Sequence, residues 1–511
     1  MLHDDNLGFY IYQLPTPLPP NGRTALNFAL EYENKGFVNS RPNTDIAANG
    51  SFLNSAYAPF VGYEAEIELT DDSTRRKHGL PKAKRMPSLD DVAARNDNGV
   101  STDADWINFE GTVSTSPDQI AILPGYLQRE WVENSRRYFH YKMDAPILAI
   151  ASLNSARYAV RRDHWRDVNL EIYYQPGHEF DLDRMMDGMK ATLEYCSTNF
   201  SPFQFHQERI IEFPRYGTFA ESFPNTIPYS EAIGFITYVD SKDPEAIDIP
   251  FYVTAHEVAH QWWAHQVIAA NVEGGTSIDE TLAQYTALMV MKHRYGPRSM
   301  RKFLRYELES YLRGRAQERN EEMPLYRVDE NQGYIHYGKG AVVMYALEDY
   351  IGEDNVNKGL AEFVKAYAFK GPPYPVSLDM IRYLKKYTPQ EYQYLYDDLF
   401  ENITLYDNRA RSATYVAQAD GKYQVNLDVE ARKVRADGKG EEHTIPINDW
   451  IDIGVLDSEG NYLYLQKQRI DKERTELTLL VDKLPAKAGI DPLNKLIDRN
   501  PEDNVVKVEK K

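Results

Sequence analysis

The pattern of apolar and polar positions changes texture twice along the chain. Up to about residue 165, short apolar-aromatic runs at 138–141 and 146–153 follow a Pro-rich entry at 14–20 and are separated by turn chemistry. That is the texture of β structure. Within it, the polar stretch 70–105 carries the cluster Arg75-Arg76-Lys77 through Lys84-Arg85. Asp71, Asp72, Asp90 and Asp91 flank the cluster, so it reads as a solvated, mobile loop and not as a binding patch. From about Val168 the period lengthens. Residues 170–174 read as a strand and 181–200 as a helix, with Met185, Met189, Leu193 and Phe200 on one side. Strands are predicted at 209–213 and 233–239. Amphipathic helical segments follow at 251–268, 277–295, 299–312, 340–350, 355–369 and 377–400. After residue 405 the period of two returns: Tyr423, Val425, Leu427 and Val429 alternate with Gln424, Asn426 and Asp428, and Ile451, Ile453 and Val455 repeat the pattern. The expectation is a multidomain α+β chain with a β-rich domain at 1–165, an α/β-then-α domain at 166–404 and a C-terminal β-sandwich at 405–511.

Composition narrows the function. With 511 residues, 42% hydrophobic and 26% charged, the chain can bury several ordinary cores. Its 58 basic against 77 acidic side chains leave a net charge of −19, which argues against nucleic acid or an anionic membrane as the main partner. Cationic ligands such as peptide amino groups remain compatible. No apolar run approaches the ~18 residues of a membrane span. Met1 opens onto Leu-His-Asp-Asp, so no signal peptide is expected at this start. Cys196 is the only cysteine, which excludes internal disulfides, cysteine-ligated zinc and iron–sulfur clusters.

The chemistry lies in Thr254-Ala-His256-Glu257-Val-Ala-His260-Gln-Trp-Trp. Pro250 suits the start of a helix, and Ala255, Val258, Ala259 and Trp262 form an apolar stripe along it. On that helix the two histidines, four residues apart, share one face with Cβ atoms ~6 Å apart, so both imidazoles can converge on one Zn²⁺. Glu257 follows the first histidine, where its carboxylate can serve as general base. A third ligand is required. Asp279 and Glu280 lie in the first turn of the next predicted helix, and Ser277-x-x-Glu280 also reads as a capping box. Given the histidine pair, the ligand reading is preferred, with Glu280 favoured over Asp279 by reach. His265, five residues past His260, is rotated off the ligand face and reads as an ordinary polar helix residue. The string Gly333-x-x-x-x-Gly338-Lys339 imitates a phosphate loop, but Gly340 follows where a hydroxyl is needed for Mg²⁺.

These motifs resemble the M1 family of zinc aminopeptidases, which are gluzincins with a thermolysin-like catalytic domain. His256-Glu257-Val-Ala-His260-Gln-Trp with Glu280 is similar to the family's zinc helix and following ligand. Ser230-Glu231-Ala-Ile-Gly-Phe-Ile-Thr-Tyr is similar to the segment whose glutamate binds the substrate's free α-amino group, and Tyr337-Gly-Lys339-Gly340-Ala to the segment whose tyrosine stabilises the transition state. The resemblance implies one zinc ion per chain on His256, His260 and Glu280, catalysis by Glu257 and Tyr337, and substrate binding by Glu231. Peptides with a free amino terminus are the implied substrates. Departures are visible. The interval from His260 to Glu280 is one residue longer than usual for the family. The residues flanking Glu231 differ, and the N-terminal region has no counterpart of the family's second amine-binding residue. The likeness is greatest to bacterial M1-like modules fused to ABC-2-type permeases. That implies a soluble module tethered to a membrane through a segment outside this chain, on a side the sequence does not specify. An open-cleft zinc metalloendopeptidase and a non-catalytic peptide-capturing module of a transporter are the alternatives.

Overall fold

The computed structural model describes residues 2–4, 9–33, 45–47, 49–62, 68–69, 71–83, 85–101 and 105–511. The chain resolves into two compact units, residues 1–44 and 45–511. In the first, Leu2–Asp4 and Phe9–Ile11 pair as antiparallel strands.

The second unit begins with small β sheets. Gly50–Asn54 and Ile120–Ile122 flank Ser152–Ala156, and Arg136–Lys142 is the central strand of a three-stranded antiparallel sheet, between Glu110–Thr115 and Tyr126–Glu133. A further sheet follows. Strands β1 (Ala159–Trp165) and β2 (Val168–Tyr174) form a hairpin, and β3 (Gln207–Phe213) and β4 (Thr226–Ser230) then add in parallel. The parallel step from β2 to β3 needs a crossover, supplied by helix α1 (Leu182–Asn199), whose Met185, Met189 and Leu193 are fully buried. Helices α2 (Ile249–Ala259), α3 (Thr276–Tyr295), α4 (Met300–Gln317), α5 (Gly340–Ile351), α6 (Glu353–Tyr367) and α7 (Ser377–Lys386) follow and share the largest core with this sheet.

Two sequence expectations fail and a third holds only in part, for identifiable reasons. Residues 233–239 do not form a strand: β4 lies earlier, and the chain then turns back over the Tyr229 ring. A Cβ on Gly234 would sit 2.3 Å from that ring, so only glycine permits the turn. The helix expected at 377–400 stops at Lys386, ahead of Pro389, which can neither donate a backbone hydrogen bond nor admit a helical neighbour before it. The polar stretch 70–105 is largely exposed where it is described, as expected, but it is not a free loop: Asp72–Lys77 is a short helix and the segment is anchored. Leu89 is buried against Ile268 and Val272, Arg95 reaches Asp379 at 2.7 Å, and Asn271 donates its backbone N–H to Asp97 at 2.9 Å.

After α7 the chain is β again. Eight strands between Ile403 and Lys510 form a sheet that curls so that inward residues of Tyr423–Ala436 and Asp449–Leu456 share one core. Buried charges tie this sheet to the helices. Lys433 is paired with Asp398 and, at 3.0 Å, with Asp449, and all three side chains are at most 6% exposed. Among the described residues no helix is long and apolar enough to cross a membrane.

Removing one member of such a cluster strands the opposite charges in a medium that solvates them poorly. Lys433→Met is therefore expected to cost ~3–5 kcal/mol of stability, read from denaturant unfolding. A loss under ~1 kcal/mol, the range of an exposed pair, would show that these charges are not desolvated.

Candidate active site

Helix α2 starts as its sequence suggests. The Asp248 side chain accepts the Phe251 backbone N–H at 3.2 Å, and Pro250 occupies the first turn. Its end differs from the expectation. The helix stops at Ala259, with His260 as its C-cap, and the chain enters a tight turn in which Ala264 has φ 140°. Side-chain anchors hold that ending. Gln261 Nε2 donates to Ser222 Oγ at 2.7 Å, Trp262 Nε1 to the Ser201 carbonyl at 2.9 Å, and Trp263 Nε1 to Thr286 Oγ1 on α3 at 2.9 Å. His265, expected to be an ordinary helix residue, is instead buried in this turn with Nε2 3.1 Å from the Ser222 carbonyl oxygen, and burial lowers its pKa to about 3.

The connector to α3 is pinned by its neighbours. Its residue Ala270 donates to the Pro375 carbonyl and Gly274 to that of Val328, both at 2.9 Å. At Gly274, with φ 83°, a Cβ would stand 2.1 Å from the Tyr326 carbonyl oxygen, so the chain passes there only as glycine. Helix α3 then opens without the capping box. Ser277 Oγ donates instead to the carbonyls of Gly274 and Leu325, which frees Glu280 to turn towards α2.

The structure thus brings His256, His260 and Glu280 together. The two Nε2 atoms lie 3.0 Å apart, and Glu280 Oε2 is 3.3 Å from each. Asp279 points away, half-buried beside the Ala269 backbone and Gly99, and desolvation of its carboxyl first, then Glu280, raises it to about 7. Glu257 is 6% exposed. Burial pushes its carboxyl up to about 8, Glu280 and Glu221 add to the rise, and His260 opposes it. Burial would lower the pKa of His260, yet Glu280 and Glu257 overcome this and raise it to about 9. His260 Nδ1 is tied to the Trp263 carbonyl at 2.9 Å, which points Nε2 at the cluster.

Tyr337 lies in a single π-helical turn, Tyr334–Lys339, that runs directly into α5. Gly338 lets that turn press on α4: a Cβ there would sit 2.8 Å from the Glu307 carbonyl oxygen. Its ring is centred 5.8 Å from that of His256. Burial, then Glu280, which its hydroxyl approaches, raises its pKa far above the ordinary tyrosine value. Glu231 is the first residue past β4 and is not part of the histidine cluster. Its Oε1 accepts the Arg215 backbone N–H at 3.1 Å. Its carboxylate, Glu212 and His178 Nδ1 form a second group with ligand atoms within 4.8 Å of one another. Glu212 and His178 had no motif to reveal them. The one available signal was a glutamate on the same strand face as Ile210, and it is fully buried. Glu221, which acts on Glu257 through space, lay in a stretch with no periodicity at all.

Residues 184–391 match the model of the peptidase family M1 domain, and this segment holds all the residues just described except His178 and Gly99. The chain carries an M1 peptidase domain. It is 24% identical over 191 residues to probable aminopeptidase 1 of Saccharolobus solfataricus, covering 35% of this chain and 24% of that protein. Over 197 residues it is 24% identical to tricorn protease-interacting factor F2 of Thermoplasma volcanium, covering 36% and 24%. Endoplasmic reticulum aminopeptidase 2 of Homo sapiens is 26% identical over 152 residues, covering 27% and 16%. The crystal structure of Legionella pneumophila aminopeptidase A in complex with aspartic acid has the same fold, with a TM-score of 0.51 at 16% identity over 80% of this chain and 45% of that one. The chain therefore matches less than half the length of that solved structure and at most about a quarter of these curated relatives.

M1 peptidases are generally zinc-dependent, and the donor set of this M1 domain fits that ion. Glu280 Oε2 is a buried oxygen with no hydrogen bond of its own, facing two imidazole nitrogens. The spacings of 3.0 and 3.3 Å approach the ~3.3 Å edge of a tetrahedron with zinc-length bonds. Glu280→Ala is expected to take bound zinc from one ion per chain towards zero by elemental analysis, while Asp279→Asn keeps it. The opposite order would move the third ligand to Asp279.

Proposed function

We propose that this chain is a zinc-dependent aminopeptidase that removes the N-terminal residue of peptides. The supporting observation is the convergence of His256 Nε2, His260 Nε2 and Glu280 Oε2 beside the buried carboxyl of Glu257. A zinc ion held by those three would supply Lewis acidity, acidifying a water molecule and polarising the scissile carbonyl.

The remaining roles belong to the chain. Glu257 accepts the proton of the attacking water and delivers it to the leaving amine. Its apolar surroundings suit this task, because a desolvated carboxylate is a stronger base than one in water. Tyr337, beside the His256 ring and 36% exposed, can present its hydroxyl to a substrate and donate to the developing oxyanion, a contribution of ~3 kcal/mol for a single donor. Glu231 pairs with the substrate ammonium. Glu212, whose carboxyl burial raises to about 7 with Glu231 adding to the rise, makes the surroundings more receptive to a cation. Anchoring the ammonium at one distance from the catalytic centre sets the cut after the first residue. The thermolysin-like form of the catalytic region and the β-sandwich form of the C-terminal sheet belong to the same reading. A membrane permease as partner rests on the sequence resemblance alone.

Glu257→Gln is expected to retain zinc and lose at least ~100-fold in kcat on an aminoacyl-coumarin substrate. Full activity in that variant would remove the general-base role. Glu231→Ala should lower kcat/KM for free-amine peptides more than ~10-fold, the equivalent of one charge-assisted hydrogen bond, while N-acetylated peptides remain poor substrates throughout. Efficient cleavage of a blocked, internally quenched peptide would make the chain an endopeptidase.

A further inference from the structure

His260 and His256 are treated differently by their surroundings. His260 Nδ1 has the Trp263 carbonyl as its acceptor, whereas His256 Nδ1 is buried without a conventional hydrogen bond. A histidine that ligates zinc through Nε2 carries its proton on Nδ1, and that buried N–H requires an acceptor. Gln284 lies alongside, one turn beyond Glu280 on α3, with its Nε2 3.0 Å from the hydroxyl of Tyr252, which is one turn before His256 on α2.

Which end of the Gln284 amide faces His256 follows from its other partners. Gln284 Nε2 donates to Glu307 Oε1 at 2.8 Å and to the Tyr252 hydroxyl oxygen at 3.0 Å. The Tyr252 hydroxyl in turn donates to Glu307 Oε1 at 2.7 Å. Both amide hydrogens are therefore spent on oxygen acceptors, which leaves Gln284 Oε1 for the Nδ1 proton. The network sits at the junction of three helices. Tyr252 is one turn before His256 on α2, Gln284 is on α3 and Glu307 is on α4. Tyr252 and Glu307 are at most 3% exposed, so water does not compete for these bonds.

We propose that Gln284, oriented by Glu307 and Tyr252, is a positioning group that holds His256 in the Nδ1–H tautomer and thereby sets the zinc affinity of the site. This rests on the reading that His256, His260 and Glu280 hold zinc. The carboxylate fixes the amide, the amide fixes the imidazole proton, and the imidazole presents a lone pair on Nε2. Reversing the amide would place N–H against N–H at Nδ1 and favour the tautomer that cannot bind metal.

The test measures zinc affinity directly, by competition of the metal-free protein with a chromophoric chelator, together with the melting temperature of the metal-free form. Gln284→Met, of similar volume, should weaken zinc binding ~10–100-fold, as loss of an outer partner does elsewhere, with little change in that melting temperature. The exchange Gln284→Glu with Glu307→Gln rebuilds the chain of bonds with donor and acceptor traded, and should recover the affinity to within a few-fold. Gln284→Met binding zinc as tightly as the parent overturns the proposal. So does an exchanged variant that folds and binds no better than Gln284→Met. If Gln284→Met does not fold, the exchanged variant alone decides, since parent-like affinity supports the relay and a ~10–100-fold loss overturns it. A parent chain that binds no zinc overturns the underlying reading as well, which separates the two failures.

Discussion

The constraint on which the rest of the structure depends is a polar knot inside an apolar core. Two imidazoles and a carboxylate meet with separations of 3.0 and 3.3 Å, surrounded by residues such as Ala255, Val258 and Ala259 that offer no hydrogen bonds from their side chains. One proton can bridge only one pair of three such atoms, so the knot is poorly satisfied by protons alone. A cation at its centre, as proposed, satisfies all three at once. The surroundings hold the donors in place without one. The α2 helix ends at the second histidine because the next three side chains are each tied to a different element, and the connector to α3 is fixed by backbone bonds to segments far away in sequence. That organisation is preformed, so little ordering entropy remains to oppose ligand binding.

Sequence reasoning succeeded where chemistry is local and failed where it is not. The spacing of His256 and His260 expresses helical geometry directly, and Pro250 marks the helix start in the sequence itself. The sequence already prefers Glu280 as ligand over the capping box, because a histidine pair needs a third donor; what it does not show is that Ser277 Oγ goes to the carbonyl of Leu325, 48 residues away. The extent of α2 was overestimated because Trp262 and Val267 continue an apolar rhythm. They are buried, as that rhythm implies, but in a turn that packs from all sides. Residues 233–239 show the same ambiguity: an apolar-aromatic run is compatible with a strand or with a turn folded over a ring, and Gly234 decides it only once Tyr229 is known to lie beneath. The stretch 70–105 misled for another reason. The Arg95 guanidinium is engaged by Asp379 and the Asp97 backbone carbonyl by the N–H of Asn271, partners that lie far downstream in the sequence.

The two glutamates to which function is assigned show how one side-chain type takes two roles. Glu257 sits in a helix, nearly sealed from water, beside groups whose net effect raises its proton affinity. Glu231 sits at the end of a parallel strand, half-buried, held by a backbone N–H, with a second carboxylate and an imidazole close by. The first environment favours proton transfer. The second favours a fixed cation, because Glu231 and Glu212 oppose each other's ionisation and a cation beside them relieves that repulsion. The position of Glu231 past the carboxyl end of a parallel strand is also where such sheets leave side chains free to meet a ligand.

A site of this kind asks more of its scaffold than stability. An imidazole ring rotated by a few tens of degrees, or protonated on the wrong nitrogen, still packs well but no longer presents its lone pair. Apolar packing alone cannot distinguish those states, since the two tautomers have the same shape. Directional bonds to fixed acceptors can, and the Trp263 carbonyl provides one for His260 through the same turn that ends its helix. For His256, inside the helix, no such turn carbonyl serves, and its buried Nδ1 has no backbone partner. A side chain must therefore supply the acceptor, and it must itself be held. This explains, on the reading proposed, why a buried carboxylate, amide and phenol are retained beneath the site where aliphatic side chains would pack at lower cost.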